Sequence, residues 1–105
     1  MEKNFIGKRI AQLRLAKGIS ARNLSMELCQ SYNYINQIEN GKSSPSIDGL
    51  FSICEYFNIS ISDFFDETTQ YPLEYRKIIE ELNKLDTFEL EKVYEMIKMI
   101  ADNKK

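Results

Sequence analysis

ARNLSMELCQSYNYINQIENG, residues 21–41, holds two short amphipathic helical patterns joined by a tight turn, and the rest of the chain reads as their support. In the first pattern Leu24 and Leu28 stand one turn apart with the small Ser25 between them. In the second, Ile35 and Ile38 stand three apart after Ser31, a residue suited to start a helix. Helices this short do not hold themselves together. They are expected to cross at a steep angle and to leave the outer face of the second polar, with Tyr32, Asn33, Asn36 and Gln37 on it. Asn and Gln carry a donor and an acceptor in one amide, which matches the paired edge groups of adenine. Ser31 and Tyr32 can serve bases or phosphates from the start of the same helix.

On the N-terminal side, Phe5, Ile6, Ile10 and Leu13 recur at helical spacing up to Lys17, and Gly18 stands where a left-handed cap ends a helix. Met1 to Asn4 is too short and polar to pack and is expected to fray. Ser20 suits the N-cap of the next helix, although Asn23 stands where a capping box wants Glu or Gln.

On the C-terminal side, the second helix of the pair is expected from Ser31 to about Asn40, with Gly41 as its left-handed terminator. Lys42, Ser43 and Ser44 follow, placed to hold phosphate. Pro45 and Ser46 open a fourth helix whose expected buried stripe is Ile47, Leu50, Phe51, Cys54 and Phe57. Ser60 caps a short fifth, and its Ile61, Phe64 and Phe65 are expected to close the core. DETTQYP, residues 66–72, is polar and without periodicity and reads as a linker. Two more helical patterns follow, Leu73 to Leu85 and Phe88 to about Asp102, with a capping box of Asp86 and Glu89 between them. A connection that short predicts an antiparallel hairpin.

The 105 residues are 43% apolar, enough to bury the core of one domain, or of one small domain with an appendage. Neither a leader nor an apolar run long enough to span a membrane stands in the sequence, so a cytoplasmic protein is expected. Cys29 and Cys54 are not a metal set, and there is no histidine to complete one. Both are expected to be buried thiols, with a redox-sensing Cys29 as the alternative. The net charge of −2 divides unevenly, as +4 over residues 1–45 and −6 over the remainder. That asymmetry suits a basic face on the helical pair and an acidic body turned away from phosphates.

From Phe5 to Phe65 the chain resembles the phage-repressor and Cro-like (XRE-type) helix-turn-helix family of bacterial regulators. The resemblance is carried by Ile35, Gln37-Ile38-Glu39-Asn40-Gly41 and Ser44-Pro45-Ser46, by Ile6, Ile10, Leu13, Arg14, Gly18, Ile19 and Ser20 before them, and by Ile59, Ser60, Ile61, Asp63, Phe64 and Phe65 after. It implies an all-α fold: a five-helix lambda-repressor-like DNA-binding domain over residues 1–67, followed by a two-helix C-terminal hairpin over residues 68–105. Two positions depart from the family pattern. Ala21 stands where a glutamine commonly touches phosphate, so that contact is lost or passes to Arg22. Cys29 stands where the turn usually has glycine.

The expected function is that of a sequence-specific DNA-binding transcriptional regulator, most simply a repressor on a palindromic operator, working as a homodimer without a cofactor. Two other readings remain open: the antitoxin of a toxin pair, and a helix-turn-helix kept only for protein interaction. Catalysis lacks its parts, having no histidine base and no glycine-rich phosphate loop. Tyr32, Asn33 and Asn36 are expected to read base edges, and Arg22, Ser31, Gln37, Lys42 and Ser43 to hold the DNA backbone, with Ser31 and Gln37 able to trade roles. Arg14 borders the Ile10 and Leu13 stripe and Glu39 follows Ile38, so these two are expected to form a structural ion pair, as the family resemblance also suggests. Leu90, Val93, Tyr94, Ile97 and Ile100, with Met96, form a stripe on the last helix wider than one packing partner needs. It is the expected dimerisation surface.

Overall fold

The computed structural model describes residues 3–68 and 71–104, and these form seven helices without a strand. In order they are α1 (Phe5–Lys17), α2 (Ala21–Glu27), α3 (Tyr34–Glu39), α4 (Ile47–Phe57), α5 (Ile61–Phe64), α6 (Pro72–Leu82) and α7 (Thr87–Asp102). The all-α architecture is the one expected from the sequence. Two compact units compose it, Met1–Glu74 and Tyr75–Lys105.

The core of the first unit is built from Ile10 and Leu13 of α1, Leu24 of α2, Ile35 and Ile38 of α3, Ile53, Cys54 and Phe57 of α4, Ile59, and Phe64 of α5. One apolar stripe per helix thus converges on a single cluster, which is how helices of four to thirteen residues become stable together. The N-caps of α2, α4 and α5 are serines. Ser20, Ser46 and Ser60 each accept a backbone N–H three residues on, at 3.0–3.1 Å.

The first four helices end alike. Gly18, Cys29, Gly41 and Asn58 all take a left-handed backbone, with φ of 75°, 59°, 76° and 56°. The next residue's N–H then reaches back five residues: Ile19 to the carbonyl of Arg14, Gln30 to Ser25, Lys42 to Gln37 and Ile59 to Cys54. Two of these positions hold glycine and one holds asparagine, the residue types that tolerate the conformation. Cys29 is the exception. The expectation that it is buried is overturned: at the apex of the turn its side chain is exposed, whereas Cys54 is buried and its thiol is pushed up to about 11 by desolvation. Relieving left-handed strain on a side chain returns about 1–2 kcal/mol, against about 0.4–1 kcal/mol of added chain entropy in the unfolded state. Cys29→Gly is therefore expected to raise stability by roughly 0.5–1 kcal/mol. A melting midpoint equal to or below that of the parent protein contradicts this.

Several sequence expectations are corrected. Asn4 does not fray: its amide donates to the Glu39 carbonyl at 3.1 Å, while Met1 and Glu2 lie outside the described residues. On α4 the buried stripe is Ile53, Cys54 and Phe57 with Leu50 half-buried, and Ile47 and Phe51 are 75% and 54% exposed. Apolar residues occupy most of that helix's circumference, so spacing alone could be read in either register. The linker keeps its polar start, where Asp66 accepts from the Thr68 N–H and hydroxyl, but its end belongs to the core. Pro72 is buried as the first residue of α6, a position that needs no N–H, and Leu73 packs against the core cluster instead of serving the tail. Thr69 and Gln70 of the expected linker lie outside the described residues.

Arg9, a residue without any local signal for burial, is buried. Its guanidinium donates to the Asp66 carbonyl and lies 5.0 Å from the Phe5 ring centroid. Burial lowers its proton affinity, partly offset by the neighbouring Asp66 and Glu67 charges. Phe5 in turn stacks on Phe65 with ring centroids 6.0 Å apart, so the chain leaving α5 is fastened to the start of α1.

In the second unit the capping box forms as expected: Glu89 N–H donates to Asp86 Oδ1 at 2.8 Å, and Asp86 N–H to Glu89 Oε1 at 3.0 Å. α6 ends at Leu82, three residues before the expected Leu85, because Lys84 and Leu85 already close tighter turns on Glu81 and Leu82. Among the described residues of this unit, partial burial is confined to Leu82, Leu85 and Val93, near the joint of the two helices. Tyr75, Ile78 and Ile79 of α6 stay exposed, as do Leu90, Tyr94, Ile97 and Ile100 of α7.

Candidate nucleic-acid interface

α3 packs on both α2 and α1. Its buried side is Ile35 and Ile38, so Asn36 and Gln37, a quarter to a half turn away, face solvent. The helix is shorter than expected, beginning at Tyr34 and not at Ser31. The Ser31 hydroxyl donates to the Asn33 side-chain oxygen at 3.0 Å instead of accepting a helical N–H, and Ser31 and Tyr34 close a turn through their backbones. Asn33, at the N-cap, makes no side-chain cap bond either.

The cap comes from another helix. Ser25, fully buried in α2, donates its hydroxyl to the Ala21 carbonyl at 2.8 Å and accepts the Ile35 N–H at 3.0 Å. This one side chain satisfies a first-turn donor of α3 and fixes where α3 starts relative to α2. Ser25→Ala keeps the shape but strands the Ile35 N–H in the core. The loss of stability is expected to be about 1–3 kcal/mol, read from denaturant midpoints, whereas a loss below about 0.5 kcal/mol would mean that water replaces the hydroxyl.

The far end of α3 is held from α1. Arg14 Nε donates to Glu39 Oε2 at 2.8 Å and its Nη2 to Oε1 at 3.1 Å, a two-pronged pair with side chains only 17% and 12% exposed. Arg14 Nη1 also donates to the Ile19 carbonyl at 3.1 Å, just before α2. Hydrogen bonding to Glu39 is the main cause that raises the Arg14 proton affinity, with its charge adding to it against burial. Gly7 completes the support, since a Cβ there would lie 2.5 Å from the Ile38 carbonyl. α1 can lie this close to α3 only without a side chain at that position.

On this scaffold the expected contact residues fall on or beside α3, with Arg22 joining them from α2. Asn36 is exposed and accepts from the Asn40 amide at 3.3 Å; Gln37, Lys42 and Ser43 are exposed around the end of the helix. Tyr32 is 64% exposed, and the Arg22 guanidinium lies 5.3 Å from its ring centroid. Asn33 is half-buried beside them. Ala21, by contrast, packs against the core and offers no polar group. Among the described residues no group of His, Cys, Asp and Glu is placed to hold a metal ion, and no helix is long and apolar enough to cross a membrane.

Comparison with known proteins places the same segment. The chain is 33% identical over 61 residues, 58% of its length, to the HTH-type transcriptional regulator PuuR of Escherichia coli (strain K12). It is 34% identical over 64 residues, 61% of its length, to the HTH-type transcriptional regulator RamB of Mycobacterium tuberculosis (strain CDC 1551 / Oshkosh). The matched stretches cover 33% and 14% of those relatives, so the likeness concerns one part of much longer proteins. No solved structure matches the chain. The helix-turn-helix family profile matches residues 10–64, from the middle of α1 to the end of α5. With the packed pair α2 and α3 at the centre of that match, the chain belongs to the XRE-type helix-turn-helix family of DNA-binding transcriptional regulators.

Proposed function

We propose that the protein is a cytoplasmic repressor that binds a palindromic DNA operator as a homodimer. The observation that carries this reading is the polar outer face of α3, held rigidly by Ser25 at one end and Arg14–Glu39 at the other and flanked by Arg22, Lys42 and Ser43. Asn36 and Asn33 read base edges in the major groove, while Arg22, Ser31, Gln37, Lys42 and Ser43 hold phosphates and fix the register. The relatives' description as transcriptional regulators supports the same assignment. Dimerisation is assigned to the tail, whose apolar stripes are left exposed. The same stripes would serve the antitoxin reading, with a different protein as the occupant.

In vitro selection of bound duplexes tests the reading directly, since it yields the site, its symmetry and its half-site spacing together. Asn36→Ala and Asn33→Ala are expected to weaken the selected site by about 1–3 kcal/mol each and to relax preference at one base position. Lys42→Ala is expected to weaken all sequences alike and to reduce the salt slope by about one unit. If neither asparagine variant shifts the selected sequence, α3 is not the reading helix. An unenriched pool from the parent protein would favour a protein-interaction module.

A further inference from the structure

We propose that Tyr32 reads no base and acts through Arg22, its ring being the platform that holds the Arg22 guanidinium ready for a DNA phosphate. The proposal rests on the DNA-binding reading above. Arg22 is the only basic residue of α2, and the two neighbours that could share its task are occupied elsewhere. Ala21 is turned to the core, and the Ser20 hydroxyl is taken by the Asn23 N–H at 3.1 Å. An exposed arginine on a short helix normally loses much rotamer freedom when it fixes a phosphate. Here the loss is reduced in advance, because the guanidinium already lies 5.3 Å from the Tyr32 ring centroid, within cation–π range. The geometry suits a phosphate in particular. A guanidinium carries five N–H donors in a planar fork, more than one ring contact takes up, so two remain for phosphate oxygens. Tyr32 stands in the turn before α3 and Arg22 on the first turn of α2, so the pair joins the two segments through exposed side chains, in addition to the buried Ser25 bond. Tyr32 is accordingly a positioning residue and Arg22 the contact.

The test uses the full chain and a fluorescent duplex of mixed sequence, because a phosphate contact does not need the operator. Arg22→Ala is expected to lower the slope of log affinity against log salt by about 0.9. Tyr32→Ala is expected to weaken binding about three-fold in the parent protein, the size of an exposed cation–π contact, and to have no effect once Arg22 is alanine. Tyr32→Phe should bind as the parent does, and Tyr32→Leu, which keeps bulk without a π face, should behave like Tyr32→Ala. Three results overturn the proposal: Tyr32→Phe as weak as Tyr32→Ala, an equal loss from Tyr32→Ala with and without Arg22, or an altered base preference in duplexes selected by Tyr32→Ala. A parent protein without salt-dependent duplex binding overturns the DNA-binding reading and this proposal together. Additive losses in a protein that does bind overturn this proposal alone.

Discussion

Arg14→Met is expected to destabilise the first unit by about 3 kcal/mol, because it leaves the Glu39 carboxylate 12% exposed with its two-pronged donor gone. For a domain of this size that corresponds to a fall in Tm of roughly 12–24 °C. Glu39→Leu should cost a similar amount by stranding the guanidinium. The double variant is expected to lose far less than the sum, since a buried pair replaced by apolar residues of similar volume is often nearly neutral. What the double variant still loses is the Arg14 bond to the Ile19 carbonyl, worth about 1 kcal/mol. Strictly additive losses would show that the two side chains are neighbours without coupling. The consequence reaches function through α3: Glu39 is its last residue, and the Asn4 amide holds the same residue's carbonyl. Loosening the pair should therefore weaken operator binding even below the melting transition.

That pair could be anticipated because both partners lie one residue from a buried stripe. Helix ends were legible for a similar reason: Gly18 and Gly41 stand directly after their apolar patterns, and Ser20, Ser46 and Ser60 directly before theirs. What the sequence concealed depends on residues far apart in the chain. The true start of α3 is set by Ser25 from α2, whereas the local signal favoured Ser31. Burial of Arg9 depends on a carbonyl 57 residues away, and local composition places a cation on the surface by default. α4 shows a third kind of ambiguity: Ile47, Leu50, Phe51, Ile53, Cys54, Tyr56 and Phe57 surround it, so only packing decides which five are covered. At the interface, residue types and their spacing pointed to α3. The placement of the Arg22 guanidinium over the Tyr32 ring joins two residues of separate helical segments and had no local signature.

Ending the chain at Glu74 is expected to leave a folded monomer that has lost tight operator binding. The cut belongs at Glu74 and not at the end of α5, because Pro72 and Leu73 complete the first unit's core while Tyr75 onward forms the second unit. The removed part carries the apolar surface for which a second copy is the proposed partner: Tyr75, Ile78 and Ile79 on α6, and Leu90, Tyr94, Ile97 and Ile100 on α7, of which Ile100 is 62% exposed. On α7, Leu90, Val93, Ile97 and Ile100 follow the three-four-three spacing of a helix-packing seam. Helices that keep such a stripe in water are unstable alone, and two copies packed by a twofold axis would bury it. On the proposed reading such a dimer would present two α3 helices to half-sites roughly 34 Å apart, one turn of DNA, so each half-site would bind with the other already held. Losing that linkage should weaken binding to a two-half-site operator roughly 10²–10⁴-fold, while affinity for a single half-site stays unchanged. Sedimentation of both chains, with binding to one-site and two-site duplexes, reads both effects. A truncated chain that sediments as a dimer and binds the full operator as the parent does would place the dimer contact within residues 1–74.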